Sequence, residues 1–247
     1  MKKICFIPAR LESSRFPGKP LFVINGKPML EWVYEACSKS EISELYIATP
    51  NEEIIEFCKS KRFNYIKTSN SHERGLDRIY EAYNSLESKN EEDLVVIMQG
   101  DEPLVIPHMI NKTISFHCEI KCDFTVTGLP INKEEFRNPN IVKIAYDDQF
   151  KTIYTSRSPI PYSKIESDNA IRIFGLYTLT PEGLRQFHEL PPNRLEILES
   201  CDTNRILGSD LKQYVCIQKK APRQQSVDTL EDAKSAEKIF KFKKLSD

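Results

Sequence analysis

Glycine is scarce in this chain: there are eight in 247 residues, against fifteen prolines and a single tryptophan. That scarcity excludes collagen-like and glycine-rich low-complexity architectures, and it makes each glycine at a loop end informative about the backbone there. Long apolar runs are missing too. Stretches such as Leu94–Met98 fall far short of the roughly 20 residues that a membrane-spanning helix needs. Neither sign of charge dominates, since 35 Lys+Arg against 36 Asp+Glu leave −1, so no general argument exists for nucleic acid or an anionic membrane as partner. The start, Met1-Lys2-Lys3 followed by a short strand-like run to Pro8, lacks the apolar stretch and cleavage site of a signal peptide, and a cytoplasmic location is expected.

What remains is an ordinary globular composition, 40% hydrophobic and 29% charged. A chain of this length buries ~70–75% of its unfolded surface, enough for one substantial core. Seven cysteines, at 5, 37, 58, 118, 122, 201 and 216, form an odd and scattered set, and without a secretion signal they read as reduced thiols. The run His117-Cys118-Glu119-Ile120-Lys121-Cys122 invites a zinc reading, with His108 as a distant fourth ligand. Structural zinc wants four converging ligands, usually as two close pairs, so a packing role is expected instead.

Short apolar runs alternate with helical periodicity through the first half. Ile4–Ile7, Glu44–Thr49, Asn64–Ile66 and Leu94–Met98 read as strands; Met29–Ala36, the segment carrying Ile54, Ile55, Phe57 and Cys58, and Gly75–Leu86 read as helices. This succession predicts an α/β fold with a mostly parallel sheet flanked by helices. Beyond residue 120, strand-like segments at Asp123–Thr127, Ile141–Tyr146, Thr152–Tyr154 and Ile171–Thr178 precede helices over Pro181–His188, Leu195–Leu207 and Leu230–Phe240. A smaller mixed or antiparallel subregion, about residues 120–215, is therefore expected within a single domain spanning 1–247. The lysine-rich stretch Lys238–Lys244 reads as a solvated terminus.

Four segments could carry chemistry. The loop Pro8–Leu21 follows the first strand, where open α/β sheets place ligands, and gathers Arg10, Arg15 and Lys19 with Ser13, Ser14 and Gly18. Fixed cations, hydroxyls and backbone N–H groups suit a triphosphate, although the spacing is not that of a P-loop. Gln99-Gly100-Asp101-Glu102-Pro103 ends the most apolar strand; a carboxylate there suits Mg²⁺, which takes one or two carboxylates plus phosphate oxygens. In Ser226–Asp232, Asp228 or Thr229 looks like a helix cap, and Asp228 becomes a second metal ligand only if the fold returns it to the same crevice. Tyr154–Tyr162 presents Arg157 from a proline-stiffened loop, and an arginine fork fits an acidic substrate.

Taken in order, these segments resemble the 3-deoxy-manno-octulosonate (Kdo) cytidylyltransferases. The matching pieces are IPAR-x3-SR-x-PGKPL at 7–21, NGKPML at 25–30, H-x2-G-x-DR at 72–78 and QGDEPL at 99–104. SRSPIPY at 156–162, GLY at 175–177, LE at 195–196 and VDTLED at 227–232 continue the series over essentially the whole chain. The resemblance implies a Rossmann-like nucleotidyltransferase fold, a homodimer, and Mg²⁺-dependent conversion of CTP and Kdo, or a similar small acidic acceptor, to CMP-sugar and pyrophosphate for surface polysaccharide. It also implies site residues. Arg10, Arg15 and Lys19 would hold the triphosphate, with Arg10, Lys19 and Asp101 as the catalytic set and Asp101 and Asp228 as metal ligands. Pro8, Ala9, Gly75, Arg78 and Gln99 would surround the nucleotide, and Arg157, Tyr177, Glu196 and Asn204 would line the acceptor side.

The departures fall in the substrate-facing motifs. The family's H-x-S-G-T-D-R stands here as His72-Glu73-Arg74-Gly75-Leu76-Asp77-Arg78, which loses two hydroxyls and adds a charge. The family's R-H-I-G stands as Arg172-Ile173-Phe174-Gly175, with the histidine replaced by Ile173 or Phe174, and its L-E-Q-L-R as Cys201-Asp202-Thr203-Asn204-Arg205. Losing polar contacts from a pocket built for hydroxyls alters discrimination by orders of magnitude. Two alternatives therefore stay open: cytidylyl transfer to a small phosphorylated or phosphonate acceptor, and a glycosyltransferase or nucleotide-sugar binding module on the same scaffold. Against the latter, Asp101-Glu102-Pro103 stands where an Asp-x-Asp motif is expected.

Overall fold

The computed structural model describes residues 1–72, 74–162 and 170–243, with 242 and 243 as backbone only; Glu73 of the 72–78 segment and Lys244 lie outside the described residues. The chain divides into two compact units, Met1–Asn111 with Pro222–Asp247, and Lys112–Ala221.

The first unit begins with β1 (Lys3–Pro8), the hairpin β2 (Val23–Ile24) and β3 (Lys27–Pro28), and α1 (Met29–Ser38). It continues with β4 (Glu44–Thr49), α2 (Glu52–Lys61), β5 (Tyr65–Lys67), α3 (Gly75–Asn84), β6 (Leu94–Met98) and the start of α4 (Pro107–Ile120). Its four long-range strands run parallel in the order β6-β1-β4-β5, with Phe6 opposite Ile97, Ile7 opposite Ile47 and Ala48 opposite Ile66. Every residue of β6 is buried on both faces, which is why it reads as an unbroken apolar run rather than an alternating one. Each such side chain contributes about 1.5–3 kcal/mol of burial. Parallel pairing also fixes function-relevant geometry: the carboxyl ends of β1 and β6 lie side by side, so the loops leaving Pro8 and Met98 emerge at one sheet edge.

The second unit holds β7 (Phe124–Pro130), α5 (Lys133–Arg137), β8 (Lys143–Tyr146), β9 (Thr152–Ser156), β10 (Ile171–Leu179), α6 (Pro181–Glu189), α7 (Arg194–Glu199) and β11 (Gln213–Ile217). β7 pairs antiparallel with β10 and parallel with β11, and β8 joins β10 to β9 through antiparallel pairs. The mixed character expected beyond residue 120 is thus observed. Afterwards α8 (Leu230–Lys243) rejoins the first unit. Thr229 caps it: its hydroxyl accepts from Asp232 N while the Asp232 carboxylate accepts from Thr229 N, a reciprocal capping box.

Several elements differ from expectation. The helix expected over Leu195–Leu207 stops at Glu199, where Ser200 turns left-handed at φ 50, and resumes only as a 3-10 turn at Asp202–Asn204. Tertiary bonds win over helical propensity there, because Glu199 is captured by Tyr154, Ser156 and Arg157. β11 and the β2–β3 hairpin were not anticipated; β11 is a five-residue strand whose Gln213 is buried, which blurs its pattern. The lysine-rich terminus is not loose where described, since Phe240 packs on Trp32 with ring centroids 4.5 Å apart. His117 and Cys122 pack as expected, with His117 Nδ1 3.0 Å from the hydroxyls of both Thr125 and Thr178.

Candidate active site

The loop after β1 is held open by named bonds rather than by regular structure. Ala9 N donates to Ala48 O at 3.0 Å, and Leu11 N donates to the Asn51 side chain at 3.0 Å. Asn51 in turn donates through Nδ2 to Glu12 at 2.8 Å, and that bond, ahead of other causes, holds the Glu12 carboxyl below its usual range. Gly18 N closes the loop by donating to Leu11 O at 2.9 Å, at a backbone φ of 73 that a side chain would strain. The 3-10 turn Lys19–Leu21 follows at once, so the loop delivers Lys19 at a fixed point. In sequence Asn51 stands just before α2, where an Asn looks the same whether it caps a helix or pins a neighbouring loop.

Lys19 is the centre of the site. Its Nζ donates to Asp101 Oδ2 at 2.8 Å, to Val227 O at 3.1 Å and to Asp228 Oδ1 at 3.1 Å. Burial, the largest single influence, would lower its pKa, but the charges and hydrogen bonds of the two aspartates outweigh it and the net direction is up. Arg15 reaches the other Asp228 oxygen at 3.1 Å. The fold does return Asp228 to the crevice: Val227 N donates to Asp101 O at 2.9 Å, and Val227, fully buried, packs with Met29, Leu104 and Ala233. Because Thr229 caps α8, in a reciprocal pair with Asp232, the Asp228 carboxylate is left to face Lys19 and Arg15.

These groups line a cavity of about 730 Å³. Pro8, Ala9, Arg10, Arg15, Lys19, Gly75, Arg78, Gln99, Asp101 and Asp228, all singled out by sequence, border it. Glu12, Ser13, Ser14, His72 and Arg74 border it as well. Gly75 opens α3 against Gln99, and a Cβ there would meet the Gln99 amide nitrogen at 3.3 Å, so glycine lets the two motifs touch. Arg78 is buried, and its guanidinium donates to Thr68 Oγ1 at 2.6 Å, Ser69 O at 2.9 Å and His72 O at 3.3 Å. It braces the cavity wall. Burial first, and then the charge of Arg10, lowers its pKa, yet an arginine stays charged. Glu81, missed by sequence reading, completes that wall: it accepts from Ser69 N and lies 2.5 Å from His72 Nε2.

Two carboxylate oxygens within 3.1 Å of one ammonium nitrogen are a binding geometry for a compact cation. Among the described residues no cluster of three or more His, Cys, Asp or Glu side chains suits a metal. A pair of carboxylates nevertheless fits Mg²⁺, whose remaining positions are filled by phosphate oxygens and water. Asp101 and Asp228 are therefore the residues that would hold it.

The four residues expected on the acceptor side belong to the second unit. Arg157 donates from Nε to Glu199 O at 2.8 Å and from its two terminal nitrogens to Pro139 O at 3.1 Å and Ser200 O at 3.3 Å, with its backbone N on the Glu199 carboxylate. Lys143, fully buried beside it, donates to three carbonyls, including Arg157 O at 2.6 Å. Tyr177 lies half-buried on β10, edge-on to Phe124. Glu196 forms a bidentate pair with Arg205 at 2.8 and 2.9 Å, both side chains at 3% exposure or less. Asn204 is fully buried and exchanges bonds with Thr155: Oδ1 accepts from its N and hydroxyl, and Nδ2 donates to its carbonyl. Glu196 and Asn204 thus brace the chain around β9. Burial along β10 leaves Ile173, Gly175 and Tyr177 half-buried and sends Phe174 into the core.

Comparison with known proteins gives the family. A family model described as cytidylyltransferase matches residues 4–240. The 3-deoxy-manno-octulosonate cytidylyltransferase of Thermodesulfovibrio yellowstonii is 36% identical, covering 97% of this chain and 98% of its own. The 8-amino-3,8-dideoxy-manno-octulosonate cytidylyltransferase of Shewanella sp. (strain ANA-3) is 37% identical over 96% of this chain and 98% of its own. A solved CMP:2-keto-3-deoxy-manno-octonic acid synthetase complexed with CTP superimposes with a TM-score of 0.89 at 27% identity, covering 98% of this chain and all of that one. This decides against the glycosyltransferase alternative, and the chain belongs to the cytidylyltransferase family.

Proposed function

We propose that this cytidylyltransferase moves a cytidylyl group from CTP to the hydroxyl of a Kdo-type 2-ulosonic acid, releasing pyrophosphate. The observation that carries the reading is the convergence of Lys19, Asp101, Asp228 and Arg15 in one cavity at the ends of β1 and β6. Relatives whose names specify that reaction share the whole length of the chain.

In this reading the acceptor oxygen bonds to the α-phosphorus as the bond to the bridging oxygen of pyrophosphate breaks, and the hydroxyl proton passes to solvent. Arg10, Arg15 and Lys19 hold the triphosphate and meet the charge that grows on the leaving pyrophosphate. Gln99 and Gly75, in contact at the cavity wall, border the nucleoside, and Arg78 keeps the 68–72 segment in place beside it. Asp101 and Asp228 would hold Mg²⁺, which would supply neutralising charge at phosphoryl oxygens. Positioning and electrostatics account for catalysis of this type.

On the acceptor, Arg157 and Tyr177 would contact the sugar acid, with Glu196 and Asn204 acting through the segments they brace. Ile173 or Phe174 in place of a histidine tunes which acid is accepted. Self-association to a homodimer is supported by Leu195, Ile197 and Leu198, all exposed along α7. Among the described residues no helix is long and apolar enough to cross a membrane, and a cytoplasmic enzyme feeding lipopolysaccharide or capsule assembly fits the chemistry.

The test is pyrophosphate release with CTP and Mg²⁺ across Kdo, 8-amino-Kdo, sialic acid and small phosphates or phosphonates. Release with Kdo or 8-amino-Kdo is expected. Release only with a phosphate or phosphonate would overturn the acceptor while keeping cytidylyl transfer.

A further inference from the structure

The Lys19 ammonium does more than sit near the metal ligands. It has three donors, and three acceptors surround it: Asp101 Oδ2, Asp228 Oδ1 and Val227 O, at 2.8 to 3.1 Å. The side chain is 16% exposed, while the carboxylates are about one-third exposed. Each aspartate therefore commits an oxygen to a cation that the chain itself provides. Arg15 takes the second oxygen of Asp228 but is half-exposed and makes a single contact. A divalent ion approaching these carboxylates meets an ammonium already within 3.1 Å of an oxygen of each.

A triphosphate changes that competition, because it offers the ammonium stronger acceptors within the same loop and supplies further oxygens to the metal. We propose that Lys19 is a resident cation that holds the Asp101–Asp228 pair closed to divalent metal until the nucleotide triphosphate draws its ammonium away, so that metal enters with or after the nucleotide. This rests on the assignment of Asp101 and Asp228 as metal ligands. Lys19 is thus a positioning residue for the metal as well as a phosphate contact, and the loop closure at Gly18 fixes it in that double role.

Mn²⁺ alone, followed by electron paramagnetic resonance of the free ion, tests this without turnover. Wild-type protein is expected to bind Mn²⁺ weakly. Lys19→Met and Lys19→Gln, each checked for native circular dichroism, are expected to bind it at least tenfold more tightly, and adding Asp228→Asn should abolish that gain. Arg15→Met serves as the control for simple charge loss and should gain only about threefold. Unchanged or weaker Mn²⁺ binding in both Lys19 variants, or a gain no larger than that of Arg15→Met, overturns the proposal. The underlying assignment is checked separately by water proton relaxation with Mn²⁺ and CTP on Lys19-containing protein. If Asp101→Asn and Asp228→Asn leave that signal unchanged, the carboxylates are not the metal ligands and the proposal falls with them.

Discussion

Glu196 offers a clean separation between bracing the fold and touching the acceptor. Its carboxylate meets Arg205 through two bonds of 2.8 and 2.9 Å, with side-chain exposures of 1% and 3%, and the guanidinium also lies over the Phe187 ring. Glu196→Gln keeps the shape but removes the carboxylate charge that faces a buried guanidinium. Removing one partner of such a pair costs about 3–5 kcal/mol, whereas replacing both with apolar groups of similar volume is near neutral. In a chain of this size each kcal/mol moves the melting temperature by about 2–4 °C, so the single variant should melt roughly 6–20 °C lower. Glu196→Leu with Arg205→Met should recover most of that loss. The assay is thermal unfolding of the single and double variants, beside KM for the acceptor below the melting range. An unchanged melting temperature with a raised acceptor KM would refute the bracing argument and restore Glu196 to the acceptor pocket.

Lys19→Ala should lower the rate of pyrophosphate release by about two orders of magnitude, the size typical of one lost electrostatic contact to a developing charge, with the circular dichroism spectrum unchanged. Asn51→Ala removes the bonds that pin Leu11 N and Glu12, and should raise KM for CTP several-fold with a smaller effect on kcat, as initial rates at varied CTP would show. His117 is held neutral by burial, which pushes its pKa down to about 4, with Asp123 pulling weakly the other way. Its folded value lies below its unfolded value, so its contribution is complete above about pH 6.5 and is lost as pH falls towards 4. That loss amounts to about 3 kcal/mol in denaturant titrations, and His117→Gln should flatten it. Ile197→Asp places a charge on the exposed apolar face of α7 and should convert a dimer to a monomer in light scattering.

The parallel half of the fold was legible because its signals are local and redundant. A strand buried on both faces, such as β6, writes itself as a continuous apolar run, and α6 announces its start through Thr180, which accepts from Gly183 N, followed by Pro181. Elements decided by distant partners were not legible. Nothing near Glu199 says that its carboxylate will be claimed by β9 and the helix ended there; Leu195, Glu196, Ile197 and Leu198 before it all favour a helix, and only the weaker helix formers Ser200 to Asn204 after it hint at an end. β11 is hidden for the opposite reason: Gln213 opens it and Gln218 follows it as buried polar residues, the Gln218 amide donating to Thr113 at 3.1 Å. The Asn25-Gly26 turn of the β2–β3 hairpin was a readable signal, with both residues at positive φ, passed over because the strands are two residues each.

At the site the limit was different. The residue types were readable: cations on a loop after the first strand, and a carboxylate after the most apolar one. What spacing could not give was the return of Asp228, 127 residues beyond Asp101, to the same ammonium. That return depends on Val227, whose amide binds Asp101 O and whose side chain is buried with Leu104 and Ala233. It depends as well on Thr229, which caps α8 in place of Asp228. The readings that proved harder to carry were those that inferred direction from residue type alone. Arg157 and Glu196 have the chemistry to recognise an acid or a hydroxyl, yet their bonds run to carbonyls and to Arg205. A charged side chain in a motif therefore identifies a pocket only once its partners are known. Where those partners are the chain's own buried groups, as at Asn204, substitutions in the motif change the shape of the acceptor side before they change its contacts.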